Sequence, residues 1–432
     1  LADTADFVVV GGGVAGLVLA RRLVLGGASV ILLEASTTLG GTVARQTIGG
    51  IEVDAGAESF ATRGDTVAQL ARALGLGDDI VLPNPAGAWL QTASGSAFPL
   101  PANSLLGIPG SPLATDVVAI IGKRAGTRAF LETVIPSFYG AKAETLGELV
   151  RKRMGRAVLE QLVRPIARGV QSADANDLPL DQAVPGLRKA LVREGSLARA
   201  VLDLRETSAK AGSAVAGIRG GVMRIVDALQ SDLDRFGVDV RLGMRATDLR
   251  HDQLTAGGSL LSGRVVVAAP GLLGDNHDRG HRVRLVTLVV DQPLLDPAPR
   301  GTGVLVADGA PGIRARALTH STAKWAWLAE RANGRHVVRL SYDDTDRTVR
   351  TDAADSALAG IARQDAEALL GVPIPESAVL DFASVEWYRP NRYTPTPDDI
   401  PLVGESIAGT GLASVVSRSE ALALSLLADA KG

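Results

Sequence analysis

Residues 7–41 read FVVVGGGVAGLVLARRLVLGGASVILLEASTTLGG, and three features of that stretch fall in register. Phe7 to Val10 is a short apolar run of strand character. Gly11-x-Gly13-x-x-Gly16 then makes a tight turn into a helix. Ser29 to Leu33 predicts a second apolar strand, and Glu34 ends it, 18 positions after Gly16. Glycines in such a turn let backbone N–H groups and the positive helix terminus approach a pyrophosphate, while the acid takes a ribose hydroxyl. The stretch therefore predicts an adenine-dinucleotide site that includes Gly11, Gly13, Val14, Ala15, Gly16, Glu34 and Ala35. Glycine-rich turns are common alone; strand, helix, second strand and terminal acid together are specific.

Composition narrows what such a site serves. A chain of 432 residues is long enough for two or three domains with sizeable cores. Its formal net charge of −2, without long runs of one sign, gives no reason to expect nucleic acid as a partner. Arginine outnumbers lysine 38 to seven, which fits a GC-rich coding sequence and draws attention to each lysine, Lys324 among them. The absence of cysteine excludes disulfides, Cys-ligated metals, cysteine nucleophiles and a cysteinyl-linked flavin. His277 and His281 are four apart, but they sit in a charged, Gly-flanked stretch, so no metal is expected. Apolar runs are broken by charge within about ten residues, too short to cross a bilayer. A cytoplasmic protein is expected, with peripheral membrane contact left open.

Organisation along the chain is interleaved. After the opening unit, Gln46 to Asp54 predict a β-hairpin around Gly49-Gly50, and Asp65 to Leu74 a helix. Residues 113–208 carry apolar positions three or four apart, as in Leu146 to Met154, Arg156 to Ile166 and Ser196 to Leu204, and predict a helical insertion. The α/β pattern returns between Gly217 and Pro270. Residues 283–342 alternate with strand period, RLVTLVV, GVLVA, ARALTHST and HVVRLSY, and the chain closes with a glycine turn feeding a last helix. The predicted fold class is α/β, with a discontinuous Rossmann-like domain at 1–62, 209–270 and 381–432. A β-sheet domain (63–112 and 271–380) and a helical domain (113–208) are inserted into it. Such interleaving argues against a simple NAD dehydrogenase and fits a chain that returns repeatedly to a long FAD.

A second glycine cluster supports that choice. Glu34-Ala-Ser-x-x-Leu39-Gly40-Gly41-Thr42 permits close backbone approach just after the ribose acid, where the ribityl and phosphate portion of FAD runs back over the turn. On these residues the chain resembles the FAD oxidase superfamily of amine oxidases, phytoene desaturases and protoporphyrinogen oxidases. Those proteins often carry Arg where this chain has Thr38. Within the superfamily, six collinear segments resemble the bacterial protoporphyrinogen/coproporphyrinogen oxidase family. They are GIEVDAGAESFATR, FPLPANSLLGIPG, RPIARGVQSADANDLPL, GIRGGVMRIVDAL, HSTAKWAW and GTGLASVV, the last three closest to its actinobacterial branch. One departure stands out: WYRPNRYTPTPDDIPLVG is abrupt where the family has a longer stretch with a Tyr-x-x-Gly-His-like segment and a helix.

The resemblance implies non-covalent FAD, with further contacts from Gly56, Ala57, Glu58, Ser59, Ala246, Gly404 and Glu405. Gly409-Thr410-Gly411-Leu412 lies where a loop enters a helix, so its N–H groups suit the negative charge that reduced flavin carries at N1 and C2=O. An ordinary glycine N-cap is the alternative. Lys324, Arg63 and Arg168, with the adjacent Gly169, are candidates to meet substrate carboxylates; Lys324 and Arg63 are also the candidates for a catalytic role. For each, the alternative is a solvated or packing residue.

The activity implied is oxidation of a porphyrinogen, with hydride passing from a meso carbon to flavin N5 and O₂ returning the flavin with release of H₂O₂. The cofactor carries the hard step, which explains the lack of a triad or metal constellation. Coproporphyrinogen III is the expected substrate, with product passing to a downstream ferrochelatase, and protoporphyrinogen IX is the runner-up. An amine oxidase or carotenoid desaturase on the same fold, or a flavin-binding protein without activity, are readings of other kinds.

Overall fold

Burial of both faces of the first strand sets the architecture. In the computed structural model β1 is Thr4–Val10, α1 is Val14–Leu25 and β2 is Val30–Leu33. The structure describes residues 3–62, 64–171, 173–210, 215–269, 280–343, 355–391, 393 and 400–430, without the side chains of 170–171, 207–210 and 355–356. Phe7 and Val9 face one side of the sheet, against α1 and the helices Thr66–Ala73, Arg224–Arg235 and Leu412–Asp429. Val8 and Val10 face the other side, with Leu254, Ala256 and Leu261 of an antiparallel meander. A period of two thus buries both faces of one strand.

The six-stranded sheet runs in the order Asp239–Arg241, β2, β1, Ser259–Val267, Gln253–Ala256 and Ala246–Thr247. Its first four strands are parallel, with Val10 opposite Leu33 on one side and Val267 on the other. Chain order reverses across β1, so the crevice at the carboxyl ends of Val10, Leu33 and Val267 is a topological switch point. Residues 401–403 extend this edge: the Val267 N–H donates to the Pro401 carbonyl at 2.9 Å and the Val403 N–H to the Val267 carbonyl at 3.0 Å.

The hairpin forms as predicted, Arg45–Ile48 against Ile51–Asp54. Its last residue does further structural work. The Asp54 carboxylate, 8% exposed, accepts the Val222 and Met223 N–H groups at 3.0 Å each and so caps the entry to the helix Arg224–Arg235.

The chain divides into two compact units: Leu1–Pro83, Ala214–Leu285 and Val385–Gly432 in the first, Asn84–Ser213 and Val286–Ser384 in the second. The helix Thr66–Ala73 and strand Ile80–Val81, grouped by sequence with the inserted sheet, belong to the first unit. Val67 and Leu70 are buried in its core, and Ile80–Val81 pairs with Val215–Ile218. The second unit holds both the helical segment and most of a seven-stranded sheet. Two sequence expectations are corrected there. The strand through ARALTHST stops at His320, and Ser321–Lys324 and Ala326–Ala332 are short helices. The helix expected over Arg156 to Ile166 contains a π turn, Leu159–Val163, before it continues as Arg164–Gln171.

Candidate active site

All of the dinucleotide residues expected from sequence lie in the first unit. Gly11 takes a φ of +111° and its N–H donates to the Leu33 carbonyl at 2.7 Å, which bends the chain off β1 at the crevice. Gly16 has a packing reason: a Cβ there would run into the Gly11 carbonyl and lie 3.2 Å from the Ala268 side chain. Gly13 has none. A Cβ on Gly13, at φ −71°, would meet no atom of the described residues within 4 Å. The space beside it is kept clear without any demand from the protein's own core or backbone.

Val14, Ala15 and Gly16 form the first turn of α1, whose N–H groups have no intrahelical acceptor. Beside them the Gly40 N–H donates to the Gly12 carbonyl at 2.8 Å, and Gly13 and Gly40 form a parallel bridge. The second glycine turn thus lies directly against the first. Gly41 and Thr42 are exposed next to it. The Thr42 carbonyl accepts the Ala57 N–H at 3.3 Å, which brings the half-buried run Gly56, Ala57, Glu58 and Ser59 to the same turn.

Glu34 follows β2, with Ala35 exposed after it. Its carboxylate accepts the Gly12 and Ser36 N–H groups at 2.7 Å each. Each oxygen keeps a further acceptor site. The Met244 N–H donates to the Glu34 carbonyl at 2.8 Å, and the strand Ala246–Thr247 starts two residues after Met244.

The last helix supplies a second terminus. Gly411, at φ +96°, is its N-cap, and a Cβ there would again meet no atom of the described residues within 4 Å. Leu412–Asp429 packs along α1 with Leu427 against Gly26, the residue that closes α1. Their carboxyl ends meet, so the two helices run the same way and both amino termini point to one end. Thr410 and Gly411 are exposed there.

Just before the last helix in the chain, Gly404 caps the short helix Glu405–Ala408 at φ +125°. Burial raises the Glu405 carboxyl above the ordinary carboxylate range, against the attraction of Arg389; burial likewise lowers Arg389, opposed by Glu405. Ser406 Oγ is buried and has no hydrogen-bond partner among the described residues. Sequence reading missed Ser406, Arg389 and Asp54; no spacing pattern marks them. Two open glycine positions, two co-directed helix termini and an orphaned buried hydroxyl fit a bound dinucleotide.

A family model described as flavin containing amine oxidoreductase matches residues 14–271. The chain belongs to that family. Its relatives include a coproporphyrinogen III oxidase of Propionibacterium freudenreichii subsp. freudenreichii, 26% identical over 86% of this chain and 78% of the relative. Another, from Mycobacterium leprae, is 28% identical over 85% of this chain and 84% of the relative. A solved structure from Exiguobacterium sp. 255-15, provisionally described as a protoporphyrinogen oxidase, shares the fold. It covers 98% of both chains at a TM-score of 0.81 and 22% identity. The flavin oxidoreductase thus has the mixed α/β architecture of its structural relatives.

The residues expected at the substrate lie in the second unit, apart from Arg63, which is outside the described residues. Arg168 is paired with Asp174 at 2.7 Å and with Asp308. Although burial opposes it, the Asn176 N–H, Arg164 and Arg168 hold the Asp174 carboxyl below its ordinary range. Gly169 has a packing role, since a Cβ there would strike the Leu305 side chain. Lys324 ends the short helix Ser321–Lys324, with its Nζ 5.1 Å from the Trp325 ring centroid. Its carbonyl accepts the Asn84 N–H at 2.9 Å. No described helix is long and apolar enough to cross a membrane.

Proposed function

We propose that this chain is an oxygen-dependent FAD oxidase that converts coproporphyrinogen III to coproporphyrin III. The observation that carries the cofactor is the clear space at Gly13 beside two co-directed helix termini. The substrate rests on the similarity to coproporphyrinogen III oxidases over most of the chain.

In this reading the cofactor is held non-covalently by the domain assigned to 1–62, 209–270 and 381–432. The first turn of α1 binds the pyrophosphate, Glu34 a ribose hydroxyl, and the turn Gly40 to Thr42 the ribityl side. Ala246 and Gly56 to Ser59 line it, and the terminus at Gly411 and Leu412 stabilises negative charge on the flavin, with Gly404, Glu405 and Thr410 beside it. Bound there, FAD would supply hydride acceptance, with O₂ as the final acceptor and H₂O₂ as co-product.

Substrate propionates are assigned to Arg63, Arg168 and Lys324, with Gly169 adjacent; Lys324 and Arg63 are the candidates for contact with the reacting macrocycle. Arg168 is already matched by two carboxylates, so a propionate must compete with Asp174 and Asp308 for it. A cytoplasmic location and transfer of product to a ferrochelatase complete the reading.

Protoporphyrinogen IX is the second reading. It is favoured by a chloroplastic protoporphyrinogen oxidase of Oryza sativa subsp. japonica, 30% identical over 57% of this chain and 47% of that protein. Porphyrin fluorescence developing under air separates the two. Coproporphyrinogen III is expected to be oxidised with the higher kcat/KM; a preference for protoporphyrinogen IX would overturn the substrate assignment.

A further inference from the structure

An arginine sits in the middle of a sheet that is otherwise built from apolar alternation. The strand His336–Asp343 is an inner strand of the seven-stranded sheet. Val338, Leu340 and Tyr342 are at most 1% exposed and join the apolar core of the second unit. Successive side chains of a strand point to opposite faces. Arg339, Ser341 and Asp343 therefore lie on the face away from that core, and all three are half-buried there.

The neighbours on that face are small or apolar. Thr319 lies directly across from Arg339, Ala317 across from Ser341, and Leu305 of the next strand across from Ala317. Thr319, Ala317 and Leu305 are half-buried too, whereas Val304 and Leu318, which join the core, are at most 2% exposed. The helix Arg164–Gln171 reaches the row at Leu305, where Gly169 leaves no room for a Cβ. Arg339 and Asp343 carry the charge of the row, about 13 Å apart along the strand, and Arg316 matches Asp343 at 2.9 Å. From the Leu305 strand to the Arg339 strand is two inter-strand steps, about 10 Å.

We infer that this row is the floor of a subsite for the edge of the flat substrate, with Arg339 pairing with one of its carboxylates. Leu305 and Ala317 support the apolar ring, and Thr319 and Ser341 offer hydroxyls beside the carboxylate. A guanidinium takes a carboxylate through two parallel hydrogen bonds, and small neighbours leave room for it to do so. The inference rests on the porphyrinogen reading above and deepens it, by adding to the propionate contacts a residue that makes charge, rather than ring shape, decide what binds.

Flavin-loaded protein is to be titrated with coproporphyrin III and with its tetra-amide, which keeps the macrocycle and replaces each carboxylate by a neutral group, and followed by porphyrin fluorescence. Arg339→Met should weaken binding of the acid by at least about tenfold, as expected for a lost charge-assisted pair, while the tetra-amide binds as before. Arg339→Lys, which keeps the charge without the fork, should fall between. Flavin absorption and the urea midpoint of each variant show that it is folded. In turnover of coproporphyrinogen III, Arg339→Met should raise KM more than it lowers kcat. Equal weakening of acid and amide, or undiminished binding of the acid by a folded Arg339→Met, would overturn the inference. Wild type that binds coproporphyrin III but leaves coproporphyrinogen III unoxidised would overturn the proposed function instead, and the comparison of acid with amide would still decide the role of Arg339.

Discussion

The carboxylate of Glu34 accepts the backbone N–H of Gly12 at 2.7 Å, joining the end of β2 to the glycine turn that follows β1. The second oxygen holds the Ser36 N–H at the same distance. One acid therefore fixes two loops of the crevice and still has acceptor capacity for a ribose hydroxyl. Glu34→Ala is expected to weaken flavin binding by at least about tenfold, since hydrogen bonds to a charged group are worth about 1.5–3 kcal/mol. Glu34→Gln, which keeps one acceptor, should fall between. Titration of apoprotein with FAD by fluorescence quenching measures both.

Two glycines three residues apart are expected to respond in opposite ways. Gly13→Val starts from a Cβ position with no atom of the other described residues within 4 Å, on a backbone any residue adopts. Its apoprotein should unfold within about 0.5 kcal/mol of wild type and bind no flavin. Gly16→Ala presses on the Gly11 carbonyl and Ala268, so it should lower stability by about 1–3 kcal/mol. Denaturant unfolding of the apoproteins, set beside flavin content, separates these outcomes.

Much of the first unit was legible because its determinants are local. Buried apolar runs, glycines at fixed offsets, Glu34 closing a strand and Gly411 opening the last helix each announce themselves within a few residues. Partners supplied from afar were not legible. Asp308 meets Arg168 across 140 positions and Asp54 caps a helix 170 residues later. The strand expected through ARALTHST ends at His320 instead, where Thr322 Oγ1 takes the Val337 N–H at 3.2 Å and the chain turns into a helix. Alternation alone does not mark that stop.

In the helical segment Arg153 and Glu132 form an ion pair with both side chains fully buried, at 2.6 Å. Glu132 also accepts the Leu197 and Ala198 N–H groups at 2.9 and 3.0 Å, capping the helix Leu197–Lys210. Removing one partner leaves an uncompensated buried charge and unmet donors. Glu132→Ala is expected to cost about 3–5 kcal/mol, read as a lower urea midpoint of the second unit.

A buried histidine pair gives the protein an acid-side dependence. His320 Nε2 lies 3.2 Å from His336 Nδ1, and His336 Nε2 lies 3.1 Å from Asp296 Oδ1. Burial first, then the neighbouring His336, lowers His320 from 6.5 to about 4. A depressed folded-state value means the unfolded chain binds the proton first. The contribution is therefore complete above about pH 6.5 and is lost as pH falls towards 4, about 2 kcal/mol by pH 5. Urea unfolding at about pH 7 and about pH 5 should show this loss in wild type and a smaller one in His320→Gln.

The most direct measurement mixes purified, flavin-loaded protein with coproporphyrinogen III in the absence of oxygen and follows the visible flavin band. The account predicts rapid bleaching, restored when air is admitted, with coproporphyrin III as the product. A flavin that stays oxidised with coproporphyrinogen III, while an amine bleaches it, would contradict the account.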